Sequence, residues 1–277
     1  MLLALLLATF ACRAPEASRS ADDLGRPVTL PPQVQHIVTL SPNITEMLFA
    51  LGAQSKLIGA DDNSNFPPPA RQLPKVGTMQ PNIEKIAALH PDIVFASSEG
   101  NSPNLGPALA AVNIPLYVVR TDRLNEIAPA MDRLGRMVDA PQRESAVHGL
   151  ERAIAAQRRT RTHAPRVLFV VWTDPLYVAG SNTFTDDLYA LTGAANAVEA
   201  DGWPQYSLES LAAHPPDLLL YPRGSVTRAQ IDVLLARAAR LQPRIVDVDD
   251  DIFQRPGPRV AQAAAALNAI LDAFASR

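Results

Sequence analysis

The sequence contains few of the residues on which disulfides, metal clusters and aromatic cores depend. Cys12 is the only cysteine in 277 residues, so neither a disulfide nor a cysteine metal cluster can form within the chain. Aromatic residues make up only 5%, and 13 glycines stand against 25 prolines, which favours stiff connections over flexible ones. The formal net charge of -3 gives no electrostatic reason to expect a nucleic-acid partner.

Familiar catalytic motifs are absent as well. The chain has no Gly-x-Ser-x-Gly, no P-loop, no His-Glu-x-x-His and no dinucleotide fingerprint. Its five histidines are scattered; His90 and His214 each precede a Pro-Asp pair at the end of a predicted helix, where a basic residue has a structural role. We therefore predict a protein that is not an enzyme, with no catalytic residues, no metal site and no catalytic cofactor.

The N-terminus predicts export. Residues 1–11 form an apolar run that stops at Cys12, too short for the roughly 20 residues of a membrane-spanning helix but long enough for a secretory signal. Either the signal is cut near Ala17 and Cys12 is lost, or Cys12 is the lipidated first residue of the mature protein, because a small residue precedes it. We favour lipidation and expect the protein in the periplasm or on the outer face of the cytoplasmic membrane.

Beyond this leader, short apolar segments alternate with amphipathic ones. The predicted strands and helices are, in chain order, a strand at 36–40, a helix at 45–51, a strand at 56–59, a helix at 83–89, a strand at 92–96, a helix at 105–112 and a strand at 115–119. Such alternation is typical of βαβ units and of mainly parallel sheets.

A change of pattern divides the chain. Residues 124–161 predict sustained helix with an interruption at Pro141, and the strand–helix alternation restarts at Arg166. The roughly 20 helical residues after Pro141 would span roughly 30 Å, enough to reach from one lobe to another. We predict an α/β fold of two similar lobes with a bridging helix; its segments are a leader and tether at 1–22, an N-terminal lobe at 23–123, a linking helical segment at 124–163 and a C-terminal lobe at 164–277.

An internal repeat supports the two lobes. Residues 77–92 align without a gap on residues 202–217, with identities at the first Gly, Gln, Glu, both Ala, Pro and Asp. Two unrelated amphipathic helices would not be expected to share the residues ahead of the helix. The repeat therefore predicts two homologous lobes and a ligand site between them.

The repeat also pairs Glu84 with Glu209 in the first turn of two equivalent helices. Each carboxylate alone is explained by its favourable interaction with a helix N-terminus. A matched pair, one per lobe, would also suit docking onto a two-fold symmetric partner with basic pockets. Both interpretations stay open at this level.

The few aromatic residues in predicted loops suggest the kind of ligand. Phe66 lies in the Pro-rich loop of the first lobe, Trp203 precedes the second repeat helix, and Trp172 and Tyr177 follow the first strand of the second lobe. Loops at the carboxyl ends of parallel strands are where such sheets bind ligands. Flat apolar side chains there favour a large planar ligand, although some of them could merely cover the sheet ends.

Six segments taken together resemble a known family. They are residues 37–46, 66–68, 82–92, 203–209, 251–255 and 258–259. In this order they are similar to segments of the periplasmic binding proteins for vitamin B12, haem and ferric siderophores that serve ABC importers. The resemblance spans about residues 34–275 and is closest to the cobalamin-binding branch.

The resemblance implies specific roles. It implies two lobes bridged by a long helix, with only a small closing motion. Glu84 and Glu209 match the two glutamates that engage arginines on the permease dimer. Trp203, Asp251, Phe253 and Arg255 match positions in segments that contact cobalamin. Two positions depart from the close cobalamin binders, since Asn63 and Met79 stand where those proteins carry aromatic residues; Met can still pack against a corrin face.

The leading hypothesis is a cobalamin receptor that delivers its ligand to a permease. The predicted cleft residues are Asn63, Phe66, Met79, Trp172, Tyr177, Trp203, Asp251, Phe253 and Arg255, with Arg255 and backbone groups meeting the polar groups of the ligand. A haem or ferric-siderophore receptor is the alternative within the class. A metal-cluster enzyme of similar architecture is disfavoured by the single cysteine and the scattered histidines, and a ligand-free scaffold or sensor remains open.

Overall fold

The computed structural model describes residues 18–100, 104–238 and 241–276. Cys12 and most of the predicted leader lie outside these ranges. The first described element is an antiparallel hairpin of β1 (Ser18–Ala21) and β2 (Pro27–Leu30). Residues 18–21, which belong to the predicted tether, are thus paired with residues 27–30.

Asp23 fastens this hairpin to the body of the protein. Its carboxylate accepts hydrogen bonds from the Tyr117 hydroxyl at 2.9 Å, from the Arg120 amide at 3.0 Å and from Arg133 Nη2 at 2.6 Å. Burial, reinforced by the hydrogen bond to Asp23, raises the pKa of Tyr117 to about 12.

We expect the Asp23→Asn substitution to move the Tyr117 titration down towards the ordinary tyrosine pKa of about 10, because the amide carries no negative charge to oppose the phenolate. A spectrophotometric titration of phenolate formation checks this, and the Tyr117→Phe variant identifies which transition belongs to Tyr117. A titration curve unchanged by the Asp23 substitution would contradict the assignment.

The N-terminal lobe is built on a four-stranded sheet in the order β4-β3-β5-β6, all parallel. Its strands are β3 (Ile37–Thr39), β4 (Leu57–Ala60), β5 (Ile93–Ser97) and β6 (Leu116–Val119). Its helices are α1 (Pro42–Ala50), α2 (Ile83–Ala88) and α3 (Leu105–Ala111), with 3-10 turns at Gln54–Lys56 and Pro68–Gln72. Helix α1 begins earlier than predicted because proline suits the first helical turn.

Two helices connect the lobes, and the predicted interruption at Pro141 lies between them. They are α4 (Leu124–Met137) and α5 (Arg143–Ala155). Residues 138–142 separate them, with Asp139 in the left-handed region at φ 48°. Helix α5 stops at Ala155 and not near residue 161, so each helix is only about 20 Å long.

The C-terminal lobe has a sheet in the order β11-β10-β7-β8, with β9 added beside β7. Its strands are β7 (Arg166–Thr173), β8 (Leu176–Val178), β9 (Ala195–Asn196), β10 (Leu218–Pro222) and β11 (Arg244–Val248), and all pair in parallel except β7 with β8. Its helices are α6 (Phe184–Thr192), α7 (Leu208–Ala213), α8 (Arg228–Arg237), α9 (Asp250–Phe253) and α10 (Val260–Ala275).

The backbone repeats where the sequence does. Helices α2 and α7, and strands β5 and β10, begin and end at positions separated by the same 125 residues as the sequence repeat. Gly77 and Gly202 both take positive φ, at 101° and 71°, a conformation that favours glycine. The sequence repeat therefore corresponds to the same backbone conformation at the start of each of these two helices.

A continuous apolar core runs through both lobes. One buried cluster contains Ile37 and Phe95 from the N-terminal sheet, Met131 from α4, and Phe169 and Leu188 from the C-terminal lobe. Separate smaller clusters fill the outer side of each sheet. Because a wide hinge motion would expose part of the shared cluster to water, the lobes are held at a nearly fixed separation.

Candidate ligand-binding cleft and docking surface

A cavity of about 450 Å³ lies where the carboxyl ends of strands from the two sheets meet. This is the edge at which parallel sheets bind ligands, and the volume is within the usual range for ligand pockets. It is lined by Ser41, Pro42, Asn43, Asn63, Ser97 and Glu99 from the N-terminal lobe, and by Ser225, Asp250, Asp251, Gln254, Arg255 and Pro256 from the C-terminal lobe. A larger cavity of about 630 Å³ lies between the β1–β2 hairpin and α3, away from both sets of strand ends.

An ion cluster beside the cleft joins the lobes. Glu46 of α1 is buried, with a side chain only 2% exposed. Arg259 binds it with both arms of its guanidinium, Nε to Oε2 at 2.7 Å and Nη2 to Oε1 at 2.6 Å. Arg255 adds a contact from Nη1 to Oε1 at 3.3 Å. We call Glu46, Arg255 and Arg259 the lobe clamp.

Arg255 lines the cavity, but its donors are engaged by protein groups. Besides Glu46, it donates to Asn65 Oδ1 at 2.8 Å and to the Asn63 carbonyl at 3.2 Å, and its Nη2 lies 2.6 Å from Asp251 Oδ1. Arg255 therefore joins the lobes, and its predicted contact with the polar groups of the ligand stays a prediction.

The rim of the cleft is crossed by one hydrogen bond. The indole Nε1 of Trp203, from the C-terminal lobe, donates to Glu99 Oε1 of the N-terminal lobe at 3.2 Å. Glu99 is in contact with solvent, but partial burial of its carboxyl group by surrounding atoms raises the pKa of that group. The hydrogen bond from Trp203 lowers this pKa, the negative charge of Asp122 raises it, and the net shift is upward. Sequence reasoning missed Glu99, which no pattern distinguishes from other acidic loop residues.

The remaining predicted aromatics lie beside the cavity and do not line it. Trp172 and Tyr177 face each other across the β7–β8 hairpin, and Tyr177 bridges to Gln205, two residues beyond Trp203. Trp172, Tyr177 and Trp203 are each between a third and a half exposed. Together they form a partly exposed aromatic surface on the C-terminal lobe.

Three predicted contacts lie elsewhere. Phe253 is buried and stacks on Phe169 with ring centroids 6.4 Å apart; the structure places it in the core, which corrects the predicted ligand contact. Phe66 borders a neighbouring cavity of about 430 Å³ and is covered by the Arg259 guanidinium, 4.1 Å from its ring centre. Met79 is 68% exposed and lines none of these cavities.

The two matched glutamates lie on the surface. Glu84 and Glu209 occupy the first turns of α2 and α7, and both are exposed. The capping role that could explain them is filled by other residues, because Asn82 and Ser207 accept the hydrogen bonds from the free helix amides. Among residues 18–100, 104–238 and 241–276, neither carboxylate has a hydrogen-bond or ion-pair partner.

In the part of the chain that the structure describes, no group of three or more His, Cys, Asp or Glu side chains is arranged to hold a metal ion. None of the helices in this part of the chain is long and apolar enough to cross a membrane.

Residues 37–241 match the family of periplasmic binding proteins, and the chain belongs to that family. A vitamin B12-binding protein of Yersinia pestis (strain Pestoides F) is 29% identical over 246 residues, which cover 86% of each chain.

Solved structures show the same fold. The periplasmic haem-binding protein RhuT from Roseiflexus sp. RS-1, in its apo form, is 30% identical with a TM-score of 0.74, over 85% of this chain and 97% of that one. The periplasmic vitamin B12-binding protein BtuF of Vibrio cholerae has a TM-score of 0.73 over 88% and 99% of the two chains; at 23% identity, this likeness concerns the fold alone. The predicted α/β fold of two similar lobes is thereby confirmed.

Proposed function

We propose that this chain is the extracytoplasmic receptor of an ABC importer and that it binds cobalamin or a related corrinoid in the cleft between its lobes. The observation that carries the proposal is a cavity at the carboxyl ends of both sheets with Trp203 reaching across its rim to Glu99. The similarity to a vitamin B12-binding protein over most of the chain supports the choice of ligand.

The geometry suits a large ligand with a flat body and polar edges. A corrin ring would lie against Trp203 and extend over the aromatic surface of Trp172 and Tyr177, since these side chains are already partly exposed. The polar floor, with Ser41, Asn43 and Asn63 among its residues, would meet the amide groups of the ring periphery. The lobe clamp keeps the two walls of the cleft in place before the ligand arrives.

A haem or ferric-siderophore ligand is the second candidate. The observation in its favour is the 30% identity to the haem-binding protein from Roseiflexus. The absence of aromatic residues at Asn63 and Met79, where close cobalamin binders carry them, weakens the argument for a corrin. Direct comparison of the three ligands decides between the candidates.

We further propose that Glu84 and Glu209 dock the receptor on the permease dimer. Both carboxylates are exposed on equivalent helices and have no partner among the described residues, so they can accept arginine partners without first breaking bonds to that part of the chain. The proposed anchor at Cys12 would hold the receptor near that permease.

Titration with cyanocobalamin, haemin and a ferric siderophore tests the ligand. We expect saturable quenching of tryptophan fluorescence and measurable heat with cobalamin, and affinity reduced by at least about tenfold in Trp203→Ala, as for a central aromatic anchor. The matched Val233→Ala change on exposed α8 should leave binding unaltered. Absence of saturation up to about 100 μM, equivalent to only ~5.5 kcal/mol, would remove cobalamin from consideration.

A further inference from the structure

The cleft carries unbalanced negative charge. Of the described residues that line it, four are charged: Glu99, Asp250, Asp251 and Arg255. Arg255 and its clamp partner Arg259 contact both Glu46 and Asp251, so these two cations and two anions neutralise one another. Glu99 and Asp250 therefore contribute the net charge of the cavity wall, one from each lobe.

Asp250 is held in place by hydrogen bonds from neutral groups. Its carboxylate accepts from the Gly224 amide at 2.7 Å and from Ser225 Oγ at 2.9 Å. A Cβ at Gly224 would lie 2.8 Å from Asp250 Oδ2, so glycine is what allows this close approach. Bonds of this kind fix the position of the carboxylate.

Among the described residues, the hydrogen bond to the Glu99 carboxylate likewise comes from a neutral donor, the Trp203 indole. A planar ligand stacked on Trp203 would meet this carboxylate at the same edge of the cleft. Arg223 directly precedes Gly224, one of the two residues that bind Asp250. Its guanidinium pairs with Asp247 at 3.5 Å. Arg223 does not line the cavity.

We propose that Glu99 and Asp250 make the cleft selective for a macrocycle whose edge groups are uncharged amides, and against one that carries free carboxylates. This inference rests on the proposed function and specifies its ligand class. Amide N–H groups can donate to both carboxylates, whereas a ligand carboxylate would be brought against like charge, with no free cation among the wall residues that the structure describes. Neither residue follows from the sequence resemblance, which points to Asp251 and Arg255.

The test compares cobalamin with the same corrinoid after one side-chain amide has been hydrolysed to a carboxylate. We expect the wild-type protein to bind the amide form at least about tenfold more tightly than the carboxylate form. In the Glu99→Gln/Asp250→Asn protein this ratio of affinities should fall to about threefold or less, because the like-charge repulsion is removed. The single variants should fall between. Asp232→Asn on exposed α8, which removes one charge far from the cavity, should keep the wild-type ratio.

A second measurement needs no substitution. For the wild-type protein, the ratio of the affinity for the amide form to that for the carboxylate form should decrease as the salt concentration is raised, because ions screen the repulsion. Equal affinity for the two corrinoids, or a full ratio retained in the double variant, would overturn this inference alone. Failure of the wild-type protein to bind cobalamin at all would overturn the proposed function and this inference with it.

Discussion

Replacing Glu46 with alanine should lower the free energy of unfolding by about 3–5 kcal/mol, because it leaves Arg259 and Arg255 at the lobe interface without their shared anion. Glu46 is almost fully buried, and both arms of the Arg259 guanidinium bind it. Few single substitutions outside an apolar core are expected to cost as much.

Urea denaturation of the wild-type and Glu46→Ala proteins measures this difference. Glu144→Ala is the matched control: Glu144 also pairs with an arginine, Arg143, at 2.9 Å, but its side chain is 76% exposed, so the cost should stay within about 1 kcal/mol. If the two substitutions cost the same, the lobe clamp contributes no more than a surface ion pair.

The second large effect concerns transport. The Glu84→Ala/Glu209→Ala protein should bind its ligand with unchanged affinity and yet reduce uptake to the background level. Both side chains are exposed, and neither is among the residues that line the cleft, so their removal should leave that site intact. Each contact with a permease arginine would be a charge-assisted bond, and losing both removes the attachment at both lobes.

Uptake into membrane vesicles that contain the permease, with the receptor added outside, measures this effect. The double variant Glu144→Ala/Glu151→Ala removes two exposed carboxylates from the linking helix α5 and should transport normally. Transport by the Glu84/Glu209 variant at the wild-type rate would remove the docking proposal. A loss of ligand binding would instead show that these residues support the fold of the cleft.

The features that sequence predicted well are those determined by local chain pattern. The repeat of residues 77–92 at 202–217 placed α2, α7, β5 and β10 correctly, because residues that shape a turn, a cap and a buried strand act within a few positions of one another. The second linking helix was extended too far past Ala155, since polar residues such as Arg158 and Arg159 are acceptable in a helix but do not require one.

The site was harder to predict because it depends on pairs distant in the chain. Glu46 meets Arg259 across 213 residues, and no local pattern announces such a pair. Family resemblance located the segment at 251–255 but could not tell which of its side chains face the cleft. Phe253 points into the core and Arg255 is engaged by Glu46, while the unnamed neighbour Asp250 lines the cavity.

The equal spacing of the two lobes' helices also affects how receptor and permease meet. Because Glu84 and Glu209 occupy equivalent places in a duplicated unit, a partner with two-fold symmetry would present acceptable sites to the receptor in two orientations related by a half-turn. An encounter complex would then have two productive arrangements, a statistical advantage of about 0.4 kcal/mol over a receptor with a single one. The bound ligand, which lacks this symmetry, would enter the permease in either of two opposite poses.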